Sequence, residues 1–480
     1  MSFSLPENIK GLDGDDKLTY RQLKARLMKK RTRNKERNAY YDGKNELHDI
    51  GYSLPPVATD ISVVVGWPEK AVEVLANRIV VDGLRTTDGL KLPDAVEKLI
   101  ADNALFESMS QAHKSALVNS CAFVACLQGD TADGEPGKII EVFTADHASG
   151  IWDARRHGLE AALLVEVADD DQETPQVIYL MTYEHTVVIT RSGRSWTISS
   201  EKANTGRIPC ELLAYRPDDK RPFGRSRISR AVMSYTDSAV RTFLRSELQA
   251  DLYSVGSRYL LGASKSMFEA PGGQVMPKWK LLLDSVLVIP DNPQTGKRVD
   301  VGQFQQASFQ PHIDQLRNTA SLFAAATSMP PDEMGVLTDN PSSAEAIDKA
   351  QKELCLLAES CQSSFSLAWL NIIRKALEKD AVELVLQWRN PATPSRAASA
   401  DAAVKLVSAG VLPADSEVVY DMLDLNDDQR RSLRVYQQKK QAQEAVAQLR
   451  AALSQTTGGV NNGIVQRNTS ASEPRVQEAS

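Results

Sequence analysis

Long apolar runs are missing from this chain. No stretch of about 18 apolar residues occurs along the sequence, which excludes a membrane-spanning helix of ordinary length. The N-terminus, MSFSLPENIKGLDGDD, has neither the basic nor the apolar region of a secretory signal. A soluble protein made in a cytosol, with no membrane partner, is the expectation. Cysteine is scarce: Cys121, Cys126, Cys210, Cys355 and Cys361 are odd in number and form no CxxC pair. That pattern excludes a disulfide framework or a cysteine zinc site, and leaves buried reduced thiols as the default.

The signatures of catalysis are absent too. There is no G-x-S-x-G elbow and no H-E-x-x-H. No Walker A loop exists either, because Arg298 follows Gly296 and Lys297 while Asp291 stands where the first glycine belongs. Asp424, Asn426 and Asp428 imitate the start of an EF-hand, but Gln429 replaces the turn glycine and Val435 the bidentate glutamate. Asp169, Asp170 and Asp171 sit beside Gln172 and Glu173 in a hairpin-like connection, where solvation accounts for them. The histidines, His48, His113, His147, His157, His185 and His312, lack metal-ligand spacing. No enzyme, no cofactor and no metal are expected. A strong basic excess is missing as well: the net charge is −6, unlike that of a dedicated nucleic-acid binder.

What is present is an ordered succession of elements. With 480 residues and 42% hydrophobic content the chain can bury several cores, so more than one domain is expected. A basic segment over 17–38 holds Arg21, Lys24, Arg26, Lys29, Lys30, Arg31, Arg33, Lys35 and Arg37. Tyr20 at its start is the one aromatic before Tyr40 and Tyr41, and none is interleaved among the cations from 21 to 37, so a solvated helix face is favoured over nucleic acid or an acidic partner. Helical pattern runs from Lys91 to Asn119. Between Ile139 and Tyr215 short β-rich runs alternate with polar turns, as in an antiparallel sheet.

From Ile228 to Tyr259 the positions Ile228, Val232, Tyr235, Ala239, Phe243 and Leu248 make one helical stripe, roughly 45 Å long. A strand-bearing insert with Trp279 and Leu281–Pro290 follows, and helical pattern resumes from near Pro311 to Ser328. Together these make a helical hairpin with a small β module at its tip. Met329, Pro330 and Pro331 must end the second helix. Ser342 and Glu345 form a capping box for a third, long helix carrying Ile347, Ala350, Leu354, Leu357, Cys361, Phe365, Trp369, Ile372 and Ala376. Beyond Pro391, helices are expected over Ser395–Ala409, Asp415–Leu423 and from Asp428 to about Leu453, followed by a disordered tail.

The order of these marks resembles the SPP1-type portal proteins of tailed bacteriophages. The resemblance rests on "NRIVVDGLR" at 77–85, "PFGRSRIS" at 222–229, "MPPDEMG" at 329–335 and "NPSSAEAI" at 340–347, and covers nearly the whole chain. It implies an α+β portal fold. The wing would occupy 1–227 with its β-rich part at 139–215, the first stem helix 228–259, the clip 260–309 and the second stem helix 310–328. A tunnel loop would follow at 329–343, a long wing helix with its return segment at 344–390, a helical crown at 391–454 and the tail at 455–480. The family assembles as a ring of about twelve subunits around a DNA channel, a closed cyclic assembly with heterologous contacts. The clip, with Lys265, Lys278, Lys280, Lys297 and Arg298, would dock the terminase motor and the head-tail adaptor; major capsid or scaffold protein would be a further partner. Glu333, Thr338, Asp339 and Asn340 would lie in the tunnel loop, beside double-stranded DNA that passes without sequence specificity. In the stem, Arg241, Arg245 and Arg258 either face the channel or pair between subunits with Asp237, Glu247 and Asp251. Charges of both signs at helical neighbour spacing favour pairing.

The acidic net charge suits a passage, since each neutralised phosphate adds to affinity and many such contacts would hold the duplex in place. The function expected is therefore a virion subunit at one capsid vertex, through which DNA is packaged and ejected. Two other classes stay open at this point. One is a phage-encoded enzyme with a non-standard site; the other is a DNA-binding regulator using the basic N-terminal helix.

Overall fold

A computed structural model of the chain describes residues 3–47, 63–87, 91–168, 173–204, 206–254, 258–261, 296, 298, 300–303, 308–335, 344–378, 383–392, 396–423, 425 and 427–457. The chain divides after Ala392 into two units.

In the first unit, β1 (Ile9–Lys10) leads into α1 (Gly14–Tyr41). Tyr20, Leu23, Leu27, Arg31 and Asn34 fall at three- and four-residue spacing on one buried face of α1, and Asp15 and Asp16 in its first turn suit the helix dipole. Then come α2 (Trp67–Ala76), β2 (Val81–Thr86), α3 (Asp94–Asp102) and α4 (Leu105–Asn119). The strands β3 (Cys121–Gln128), β4 (Lys138–Thr144), β5 (Ala148–Asp153), β6 (Gly158–Val167), β7 (Pro175–Met181), β8 (His185–Ser192), β9 (Ser195–Ala203) and β10 (Cys210–Ala214) follow.

These strands form two sheets rather than the one expected. The larger has the order β1-β9-β8-β7-β6-β5, the smaller β10-β3-β4. β1 joins the larger sheet parallel to β9, with Ile9 opposite Trp196, so that sheet is not purely antiparallel. The smaller sheet is built around β3, a strand upstream of the expected β-rich range. β3 and β6 are covered on both faces. In β6, Ala161, Leu163 and Val165 pack toward Tyr20, Leu23 and Leu27 of α1, while Ala162 and Leu164 pack with Phe123 and Phe143. In β3, Phe123, Ala125 and Leu127 share that second core, whereas Ala122 and Val124 face the largest one. Alternating side chains of one strand thus serve two cores, which is why these strands read as continuous apolar runs.

The hairpin helices are α5 (Arg230–Ser254) and α6 (Gln310–Thr327), with β11 (Arg258–Leu261) and β12 (Asp300–Gln303) paired antiparallel between them. The first helix ends earlier than its expected limit at Tyr259. Arg258 accordingly lies in β11 opposite Gln303, not on the stem helix, because the β-prone sequence Arg258-Tyr259-Leu260-Leu261 prefers the strand. Ile228, Val232 and Ala239 are buried as expected, but Phe243 is exposed and its neighbour Leu244 is buried. Trp279 and the Leu281–Pro290 run lie outside the described residues.

The largest core joins α2, α4 and the base of α5 to α7 (Ala344–Leu377), through Phe365, Trp369, Ile372 and Ile373. With 34 residues, α7 is roughly 50 Å long. Its residue Trp369 donates through Nε1 to His113 Nε2 at 3.0 Å, and the other ring nitrogen of His113 meets the Ile79 carbonyl at 3.1 Å. An acceptor at Nε2 requires the proton on Nδ1, so the imidazole is neutral; complete burial pushes its pKa down to about 4. The strand β13 (Leu384–Trp388) returns to pair with β2.

The second unit contains α8 (Arg396–Ser408), α9 (Glu417–Met422) and α10 (Asp427–Thr457). Gly410, at φ 70°, follows α8, and Ser416 caps α9 by accepting from the Val419 amide. Asp424, Asn426 and the tail from 458 onward lie outside the described residues. No described helix is long and apolar enough to cross a membrane.

Candidate functional site

The two helices of the hairpin meet the body of the first unit at one knot, built by the segment Pro222–Ser229. Gly224 adopts φ 68°, and a Cβ there would lie 2.3 Å from the Tyr215 carbonyl oxygen and 2.9 Å from that of Ser120. Only glycine fits so close to two backbones. The tight turn lets the Arg225 amide donate to the Tyr215 carbonyl at 2.8 Å and the Arg227 amide to the Leu117 carbonyl at 2.8 Å, while Ser226 Oγ donates to the Val118 carbonyl. The chain is thereby fixed to the ends of α4 and β10 just before α5 begins.

Arg227 then joins the second helix to this anchor. Its side chain is buried, and its guanidinium donates through Nε to the Ala71 carbonyl on α2, through Nη1 to Tyr215 Oη at 3.2 Å, and through Nη2 to the Thr327 carbonyl at 2.8 Å. Thr327 is the last residue of α6, where carbonyls lack helical partners and the dipole favours a cation. One planar fork thus fixes α2, the strand end and α6.

The turn after α6 is equally fixed. Ser328 takes the left-handed conformation at φ 52° and Met329 donates to the Ala324 carbonyl at 2.9 Å, closing the helix. A single 3₁₀ turn, Pro331–Met334, follows and ends at Gly335, φ 73°. Glu333 within it pairs with Lys70 of α2 at 3.0 Å. On the other side, the hydroxyl of Tyr40, near the end of α1, donates to both carboxylate oxygens of Asp237 on α5, at 2.8 and 3.0 Å. Burial first, then Asp237, push the Tyr40 phenol pKa up, so it stays a donor. Tyr41 donates to Glu73 at 2.7 Å, which Lys114 also holds at 2.9 Å.

Further along the hairpin, His312 meets Gln249 Oε1 at 2.7 Å, bridging α5 and α6. Phe243, Ile313 and Leu322 are left at 38%, 43% and 45% exposure on the two helices. The arrangement is two antiparallel helices anchored at their base, with apolar side chains exposed along them.

A family model described as "Phage portal protein, SPP1 Gp6-like" matches residues 20–445. The chain belongs to this portal family. Similar curated relatives are the portal protein of Mycobacterium phage L5, 26% identical over 397 residues with 78% of this chain and 79% of the relative covered, and that of Mycobacterium phage D29, 26% identical over 392 residues with 78% and 80% covered. Among solved structures, chains from the neck of an empty GTA particle computed with C6 symmetry and of a native GTA particle computed with C12 symmetry are similar. The first is 14% identical, covers 75% of this chain and 90% of the other, and has a TM-score of 0.46; the second is 13% identical, with 75%, 89% and 0.44. Portal proteins are structural components of the phage virion.

Within this portal chain the expected site residues separate. Glu333 lies against α2, paired with Lys70, whereas Thr338, Asp339 and Asn340 lie outside the described residues. Of the expected clip cations, Arg298 is exposed, and Lys265, Lys278, Lys280 and Lys297 lie outside the described residues. Among the residues expected in the stem, Asp237 accepts from Tyr40, Arg245 and Glu247 are exposed, and neither Arg241 nor Arg245 forms an ion pair with a described residue of its own chain. The side chain of Asp251, on α5, is outside the described set. Among the described residues no cluster of histidine, cysteine or carboxylate side chains is placed to hold a metal. All five cysteines are free thiols. Sequence reasoning noticed the 222–229 motif but missed the part Arg227 plays in it. The neighbouring Gly224 signals a turn, yet nothing in the sequence names the carbonyls that the guanidinium reaches.

Proposed function

We propose that this chain is the ring-forming subunit of a phage portal at one capsid vertex, about twelve copies closing around a channel through which double-stranded DNA is packaged and ejected. Terminase and the head-tail adaptor dock on the clip, the capsid or scaffold protein contacts the ring from outside, and the portal does no covalent chemistry of its own. The observation that carries this reading is the anchored hairpin. Arg227 and the Tyr40–Asp237 contact fix the direction of α5 and α6 against the body, while Phe243, Ile313 and Leu322 remain exposed along them. Rods held at one end and apolar along their flanks suit the lining of a passage made by many copies. Their cover would come from neighbours, through heterologous contacts that close a ring.

Gel filtration followed by negative-stain imaging and native mass measurement tests the proposal. Closed rings with a central hole are expected. A monomer or dimer under every assembly condition, or tight salt-sensitive DNA binding by a monomer, would overturn it.

A further inference from the structure

Beyond Lys17 and Arg21 in its first turns, the basic residues of α1 fall into two groups. Arg31, Lys35, Lys24 and Arg26 are engaged inside the subunit. Arg31 donates to the Asp146 carbonyl and pairs with Glu173, which Lys35 also holds; Lys24 pairs with Glu7, and Arg26 donates to the Gly150 carbonyl. Lys29, Lys30, Arg33 and Arg37 form the other group. They have no ion-pair partner among the described residues, although they stand three or four positions apart, where like charges repel. Lys30 is pulled below the usual lysine range by burial, then by Arg33, Lys29 and Arg37; Arg37 falls to about 10 through burial and Arg33. Arg37 is half-buried, and its Nη1 is enclosed with no acceptor. The described acidic groups nearby are Glu36, which is exposed, and Asp146, whose Oδ2 is held by Asn38 and which lies beside Arg31, its buried Oδ1 accepting no hydrogen bond. Among the described residues this surplus of cations, Arg37 half-buried and the other three exposed, has no paired acid.

A complementary feature lies at the far end of the same sheet. α1 is tied to the residues following β4, with Asn34 donating to the Ala145 carbonyl, and Lys30, Arg33 and Arg37 stand close enough to Cys121 to act on its thiol. At that end of the sheet Ala122 pairs with Thr144; at the other end Gln128 pairs with Lys138. The β3–β4 connection there, 129–137, exposes Asp130, Asp133 and Glu135. It is pre-shaped: the Asp130 amide donates to Glu135 Oε2 at 2.7 Å, the Ala132 amide donates to Asp130 Oδ1 at 2.9 Å, and a Cβ on Gly129 would meet the Pro136 carbonyl at 2.1 Å. The nearby cations are occupied, Lys138 by Glu378 at 2.6 Å and Lys202 by Gln128. The strand alone separates the two ends by roughly 23 Å. Opposite charges at opposite ends of one rigid strand pair cannot meet within a subunit, but they can meet between successive copies in a head-to-tail ring.

We infer that the α1 face of Lys29, Lys30, Arg33 and Arg37 is a docking surface for a second copy of this chain, receiving Asp130, Asp133 and Glu135 of its β3–β4 connection. The inference rests on the ring reading above and adds the contact that sets the order of subunits. Two charge-reversed proteins test it: K30E/R33E, whose α1 face loses its net charge while the connection stays acidic, and D130K/D133K, basic at both. All four positions are exposed; K30E/R33E keeps the melting temperature of the dissociated subunit, and D130K/D133K loses only the bond that Asp130 Oδ1 accepts from the Ala132 amide, so its melting temperature on the dissociated subunit is measured beside the assembly. Alone, each needs a concentration on the order of tenfold higher than the parent for half-assembly, since several exposed pairs per interface are lost or made repulsive. Mixed in equal amounts they assemble, because in an alternating ring the positions exchanged in one protein face residues of opposite charge in the other at every interface, and native mass measurement finds the two in equal numbers. If each variant assembles alone like the parent, or the mixture gains nothing over its components, the inference falls while the ring stands. Loss of DNA binding without loss of assembly in K30E/R33E would likewise overturn it, giving the surface to nucleic acid. If the parent gives no ring at all, the ring reading fails and takes this contact with it.

Discussion

Replacing Arg227 by methionine should loosen the base of the hairpin without unfolding the rest of the first unit. The guanidinium serves three acceptors of unequal need. The Ala71 carbonyl also serves the helical ladder of α2, and Tyr215 Oη can turn to another partner. The Thr327 carbonyl, at the end of α6, has no helical donor and is left unsatisfied. Losing charge-assisted bonds and stranding one buried carbonyl costs about 3–5 kcal/mol, and removing a buried cation returns part of that, leaving about 2–3 kcal/mol. The loss should be local. Amides from 319 to 335, at the end of α6 and in the turn after it, should exchange hydrogen roughly thirtyfold faster for 2 kcal/mol, while those of β6 and β7 keep the parent rate. Lysine at 227 keeps the charge but not the fork, so it should recover less than half of the lost protection. Hydrogen exchange read by mass spectrometry on the ring and on the dissociated subunit makes the measurement. If Arg227→Met leaves the 319–335 amides protected as in the parent, the guanidinium is not what holds α6, and the mechanical role given to the 222–229 motif is wrong.

Gly224→Ala should destabilise the first unit by about 2 kcal/mol or more, because the new methyl meets two carbonyl oxygens at a left-handed φ; a melting temperature unchanged by calorimetry would refute the close approach. Stability should also respond to pH through two groups of opposite sign. His113 falls from its ordinary 6.5 to about 4, so the unfolded chain binds more protons, and its contribution is complete above 6.5 and lost as pH falls toward 4. Glu141, raised by burial and then by Glu166 from 4.5 to about 7, contributes fully below 4.5, and that contribution is lost as pH rises toward 7. Relative to the parent, Glu141→Gln should therefore gain stability between pH 4.5 and 7, and thermal melts at half-unit steps showing a constant difference would refute this. Alanine at Thr338, Asp339 and Asn340 together should lower DNA packaging or retention while leaving rings intact by negative stain, and packaging equal to the parent would remove the tunnel-loop assignment.

Helices were the legible part of the sequence, and the reason is periodicity against a single core. The stripe of α7 from Leu354 to Ala376 and the buried positions Ile228, Val232 and Ala239 of α5 follow from spacing alone. The same reading slipped at Phe243, because both residues of the pair Phe243-Leu244 are apolar and 3.6-residue periodicity does not choose between neighbours. β3 escaped for a different reason. Its sequence, Cys121-Ala122-Phe123-Val124-Ala125-Cys126-Leu127, has no alternation, since both faces are buried, and a short apolar run cannot be told from helix without its context. Proline marked the end of α6 through the chemistry of one residue, which is why the turn at Met329–Gly335 could be placed without tertiary information.

The candidate site was harder to read because its bonds are long-range and end on backbone. Arg227 looks in sequence like any arginine before a helix; its three acceptors come from 71, 215 and 327. Asp237, one of the acids expected to pair between subunits, accepts within its own chain from Tyr40, nearly two hundred positions away. Such contacts follow from the packing of α1 against α5 and leave no local signature. Their effect on assembly is a matter of direction. Because the knot grips the first turn of α5 and the last of α6, a small rotation at Arg227 is carried along the whole length of two rods, and at 1.5 Å per residue the 25 residues of α5 reach roughly 37 Å. A tilt of 5° at the base would move the far end by about 3 Å, enough to break side-chain contacts between neighbouring copies. A base fixed by a buried fork, rather than by exposed ion pairs that salt would weaken, is therefore what the proposed ring of such rods would require.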